Sequence, residues 1–162
     1  MIPKKITKEL KDFICEGFLI IKKSDYEYKQ KVDLLGSLFS LGAGTGWRPR
    51  EITLGALKLF IKNDFKLPKG LNRAHTYHRR ETMRELLEKE WVDDSWWDWY
   101  KERDYTVLAT RAENSDEKNF HKLLTFEIPL TMNLFSGKRV GFEYRDEERE
   151  FLKKLAKKQG LI

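Results

Sequence analysis

The sequence predicts an α+β domain that is mostly helical, and three observations lead there. Apolar residues recur at helical spacing over most of the 162 residues, with capping residues ahead of several runs. One β-branched, apolar run, residues 106–110, reads as a strand. Residues 126–144 read as a hairpin around Ser136-Gly-Lys138, with Pro129 confining its strand to a sheet edge.

Taken in order, residues 7–16 suit a helix, with Thr7 as cap and Leu10, Phe13 and Ile14 on one face. Gly17 interrupts that pattern, so Phe18-Leu-Ile-Ile21 reads as a short strand or as a buried continuation. Ser24 or Asp25 can cap a second helix carrying Val32, Leu35, Leu38 and Phe39. Gly42-Ala-Gly-Thr-Gly46 ends it as a loop or tight turn. Pro49 fits the first turn of a third helix through Ile52, Ala56, Leu57, Phe60 and Ile61. Residues 65–72 are irregular, punctuated by Pro68 and Gly70. Helix returns at 81–91, where Met83, Leu86, Leu87 and Trp91 share a face. Asp94 or Ser95 can cap the segment Trp96-Trp-Asp-Trp-Tyr100. Its tryptophans, with Trp91, fit a packed core or dimer contact better than a platform for bases. Beyond the strand at 106–110, residues 113–124 read as helix. The last helix, 146–158, opens on Asp146-Glu-Glu and closes on Lys157-Lys158, matching the helix dipole at both ends.

Composition narrows the function classes. The length suits one domain with a real core, and 40% hydrophobic with 36% charged residues describes a soluble globular protein. No apolar run approaches the roughly 20 residues that span a bilayer, and the N-terminus does not read as a signal peptide. A lone cysteine, Cys15, excludes an internal disulfide and a cysteine-based zinc site, which fits a reducing, cytoplasmic compartment. The net charge of +6 and pI near 9.3 are compatible with a polyanionic partner, although many small basic proteins bind no nucleic acid.

All three histidines lie between positions 75 and 121. Two sit in Asn72-Arg-Ala-His75-Thr-Tyr-His78-Arg-Arg80, and the third closes the stretch from Asp104 to His121. Phosphodiester cleavage needs a base for water, a cation on the phosphate and positive groups on the backbone. Histidine suits the base because its ordinary pKa leaves it able to accept a proton at neutral pH. Mg²⁺ takes hard oxygen ligands, and an Asn carbonyl at a helix start can be one.

Arg73-Ala-His75-Thr, followed by Thr106-Val-Leu-Ala-Thr-Arg-Ala-Glu-Asn114, resembles the HNH (ββα-metal) endonuclease family of homing and phage nucleases. The resemblance covers about 50 residues. It implies a small ββα-metal hairpin-helix centre within the α+β fold and Mg²⁺- (or Mn²⁺-) dependent hydrolysis of DNA. On it, His75 is the general base with His78 its rival, Asn114 holds the metal, and His121 is a second candidate ligand. Arg73, Arg79, Arg80 and Arg111 would grip phosphates. Ala74 stands where the family often has an acidic residue, and Tyr105 or Thr106 where its middle Asn orients the base.

Thr45-Gly-Trp-Arg48-Pro-Arg-Glu51 is similar to the first arginine motif of tyrosine recombinases, but no His-x-x-Arg box follows, which excludes that chemistry. Arg48 and Arg50 remain candidate DNA-backbone contacts. The expected organisation is a helical DNA-docking or dimerisation region over 1–69 and an HNH-like core over 70–125. Residues 126–162 would form a hairpin and helix packed on that core. The alternative function is a non-catalytic DNA-binding or regulatory protein. A homodimer remains open, and no membrane partner is expected.

Overall fold

The computed structural model describes residues 7–42, 49–104, 106–116, 118–129 and 144–162. The chain is α+β and mostly helical, with a small mixed sheet among the helices. In order it runs α1 (Lys8–Lys23), α2 (Tyr28–Gly42), β1 (Pro49–Thr53), α3 (Leu54–Lys62), β2 (Leu71–His75), α4 (Arg79–Glu88), α5 (Ser95–Arg103), β3 (Thr106–Thr110), α6 (Arg111–Ser115), a 3-10 turn (Phe120–Lys122), β4 (Thr125–Glu127) and α7 (Asp146–Lys158). The glycine-rich residues 43–46, Arg48 and the hairpin turn at 136–138 lie outside the described residues.

The sheet order is β2-β3-β1-β4. β3 is central and pairs antiparallel with β2 and parallel with β1, while β4 closes the far edge antiparallel to β1. Both faces of β3 are covered: Thr106, Val107, Leu108 and Ala109 are all buried. That burial explains why it reads as a continuous apolar run rather than an alternating one.

Two hydrophobic cores hold the fold. In one, α3 and α7 cover the sheet, with Ile52, Leu57, Phe60, Leu108 and Leu152 fully buried. The other joins α1 and α2 to the α4–α5 pair around Trp96, with the Phe18 ring 4.1 Å from it and Phe39 5.8 Å away. Cys15 belongs to this second core, and burial pushes its thiol up to about 11. The sheet-side core draws on elements before residue 69 and after 126, and the helical core joins α1 and α2 to α4 and α5.

Several local expectations change on folding. Gly17 does not break α1, which runs on through Phe18 to Lys23. A Cβ at Gly17 would lie 2.9 Å from a Leu38 methyl, so the glycine lets α1 and α2 approach closely. Ser24 closes α1, its hydroxyl donating to Ile21 O at 2.7 Å, rather than opening α2. Pro49 opens a strand instead of a helix, a position where its missing N–H costs the ladder nothing. Helix α3 then starts under Thr53, whose hydroxyl accepts from the Ala56 N–H at 3.0 Å.

Residues 113–124 are not one helix. α6 stops after one turn, and the Asn119 amide bonds both carboxylate oxygens of Asp116 at 3.1 and 3.0 Å. Short polar side chains compete with the helical backbone in this way. β3 and α7 keep the extents that their patterns predict, while α5 runs three residues past Tyr100, to Arg103, and Asp94 precedes it without a side-chain cap bond.

Candidate functional site

The strand period places the first two side chains of the site. Arg73 and His75 are two residues apart on β2, so they share a face, while Ala74 points the other way and is buried. A carboxylate at position 74 would be desolvated there, which accounts for the absence of an acidic residue beside His75. The carboxylate comes from elsewhere. In the β2–β3 ladder His75 faces Thr106, and Asp104 lies two residues before Thr106. The His75 Nε2 is 3.2 Å from Asp104 Oδ1, with the two side chains 23% and 11% exposed.

Asp104 also ends α5, its N–H donating to Tyr100 O at 2.8 Å. The carboxylate is therefore held by helix backbone as well as by the imidazole. An ionised carboxylate only accepts hydrogen bonds, so Nε2 carries the proton and the lone pair remains on Nδ1.

Asn114 arrives through α6. The turn from β3 into α6 is fixed by Glu113, whose Oε2 accepts from the Thr110 N–H (2.9 Å), the Thr110 hydroxyl (2.9 Å) and the Thr53 hydroxyl (2.8 Å). Glu113 thereby ties the starts of α3 and α6 together, in a capping box completed by its own N–H on the Thr110 hydroxyl. Close approach requires Gly55, because a Cβ there would sit 2.3 Å from Glu113 Oε1. With Glu113 engaged in this way, the neighbouring Asn114 lines a cleft over β2.

That cleft, of about 310 Å³, is bounded by Arg73, His75, Tyr77, His78, Arg79 and Asn114, together with Thr76 and Phe120. Burial lowers the pKa of the Arg73 guanidinium, because the charged form is held away from water. Tyr77 is braced from behind. The Arg103 guanidinium lies 4.9 Å from its ring and 4.3 Å from the Trp99 ring, and it pairs with Glu85 at 3.6 Å.

No protein-family model, curated protein or solved structure matches this chain. The reading of the cleft therefore rests on its own chemistry.

The fold gathers Arg73, His75, His78, Arg79 and Asn114 from the residues singled out in the sequence. Of the others, those among the described residues do not line the cleft. His121 is exposed on the 3-10 turn, where its neighbour Phe120 does the lining. Arg111 starts α6, its N–H donating to Gly70 O at 2.8 Å, and its side chain is exposed. Arg50 is exposed on β1, and Arg80 lines a neighbouring groove. Asp104 is the residue that sequence reasoning missed.

The lining does not by itself suit a divalent cation. Asn114 offers one amide oxygen, Asp104 is bonded to His75, and Glu113 is committed to the two threonines. Among the described residues no three His, Cys, Asp or Glu side chains gather to hold a metal. What the cleft does suit is an anion, with Arg73 and Arg79 in its lining and no carboxylate among the described residues that line it. Among the described residues, no helix is long and apolar enough to cross a membrane.

Proposed function

We propose that the protein is an endonuclease that hydrolyses DNA phosphodiesters in this cleft. The observation that carries the reading is the His75–Asp104 pair, 3.2 Å apart, in a cleft that also holds Arg73 and Arg79. Asp104 fixes the tautomer, so Nδ1 of His75 is the proton acceptor. It takes a proton from water as that oxygen bonds to phosphorus and the bond to the leaving sugar oxygen breaks. Arg73 and Arg79 hold the non-bridging oxygens, where negative charge builds up in the transition state. His78, exposed at the start of α4, is the second imidazole within the cleft and the rival base. Mg²⁺ or Mn²⁺ bound with the phosphate would supply further charge neutralisation, and Asn114 is the cleft residue that would offer it an oxygen.

Supercoiled plasmid incubated with Mg²⁺ or Mn²⁺ tests the reading. Wild type should nick it, whereas His75→Ala and Asn114→Ala should lose nicking while still binding DNA. Binding without cleavage under either metal would leave a non-catalytic DNA-binding protein and end the nuclease reading.

A further inference from the structure

A second and larger hollow, about 790 Å³, lies between α2 and α4. Its volume falls within the roughly 300–1,000 Å³ of ordinary ligand sites. Tyr28, Val32 and Gly36 of α2 and Met83 of α4 give it apolar walls. Its charged groups are Lys29, Arg79 and Arg80 against one carboxylate, Asp33. Arg79 lines this groove and the His75 cleft alike, so the two hollows adjoin at its side chain. Gly36 leaves room for that side chain: a Cβ there would come within 3.3 Å of the Arg79 guanidinium.

We propose that the groove receives an unpaired DNA strand flanking the phosphate bound in the cleft. This rests on the reading of the cleft as a DNA site and names the form of DNA that it takes. Paired DNA keeps the apolar faces of its bases stacked inside and shows phosphate and sugar outside. An apolar wall carrying a half-exposed tyrosine gains little from such a surface. A strand with unpaired bases offers both parts of the match, an aromatic face for the exposed Tyr28 and phosphates for Lys29, Arg79 and Arg80. The excess of three cations over one carboxylate favours this polyanion over an apolar peptide or a second copy of the chain.

The test is fluorescence anisotropy without divalent metal, on fluorescein-labelled forked DNA with a single-stranded arm and on a blunt duplex of equal length. The wild type should bind the fork about tenfold more tightly, the gain expected from stacking one base. Tyr28→Ser with Lys29→Glu, both exposed in the first turn of α2, should bring fork affinity down to duplex affinity. Ser37→Glu, which puts a carboxylate in the groove, should do the same from the other end of the helix. Equal binding of fork and duplex by wild type, or an excess that survives both variants, overturns the proposal. So does a concentration-dependent dimer that Tyr28→Ser and Lys29→Glu dissociate while the fork preference stays, since the groove then belongs to a second copy. Arg73→Ala separates the two readings. It should weaken fork and duplex together, and if it weakens neither, the cleft reading fails as well.

Discussion

An imidazole works as a base only when the correct nitrogen holds the lone pair, and at His75 a single carboxylate decides that. Asp104 accepts from Nε2–H, and an Asn in its place could donate an N–H there and favour the opposite tautomer. Asp104→Asn keeps the shape of the side chain and its place at the end of α5. Cleavage should therefore fall on the order of 10²-fold or more, with the loss in kcat rather than KM. DNA affinity and melting temperature should stay near those of wild type. Single-turnover rates beside binding isotherms check this, and a variant that cleaves like wild type removes Asp104 from the chemistry. His75 and Arg73 are legible in the sequence through the stretch Arg73-Ala-His75-Thr that resembles the HNH family, although residues 65–72 read there as irregular. Asp104 is not. It meets His75 only through the β2–β3 register, with 28 residues (76–103) and two helices standing between them.

At the scale of elements, the connection from β3 to α6 depends on packing between residues far apart in sequence. Gly55 lies in the first turn of α3, and helix propensity alone predicts that Gly55→Ala gains about 1 kcal/mol. The structure predicts the opposite sign. The added Cβ must displace a Glu113 carboxylate that accepts three hydrogen bonds at the starts of two helices. Losing these bonds, at about 1 kcal/mol each, exceeds the propensity gain. Gly55→Ala should thus destabilise the protein by about 1–2 kcal/mol in urea melts, and an increase in stability would discount the Glu113 tie. α5, β3 and α7 were legible because cap, periodicity and dipole are local signals. β1 was not: Ile52 and Ala56 fit a helix face four apart, and only pairing with β3 and β4 draws Pro49–Thr53 into the sheet. The extent of α6 was hidden for the same kind of reason, since Asp116 and Asn119 end it through their own local bonds.

For the whole molecule, the cleft lies where the chain leaves the sheet. β2 and β3 belong to the sheet, yet the chain between them leaves to build α4 and α5 against α1 and α2. His75 and Asp104 mark the exit and return of that excursion, which is how two residues far apart in sequence come to one place. The same arrangement concentrates function-bearing charge. Net charge of +6 alone would give diffuse attraction to DNA, whereas on the proposed reading the arginines gathered in one cleft would bind particular phosphates. Each phosphate contact releases counterions, and the slope of log affinity against log salt is about −0.9 per contact on duplex DNA. Arg73→Ala and Arg79→Ala should each flatten that slope by about one. Lys157→Ala with Lys158→Ala removes two charges from the last turn of α7, where they balance the helix dipole, and should leave the slope as it was. Binding titrations across a salt series decide between the alternatives. If the α7 pair flattens the slope as much as the arginines do, DNA responds to overall charge rather than to the cleft, and the site loses its claim as the point of contact.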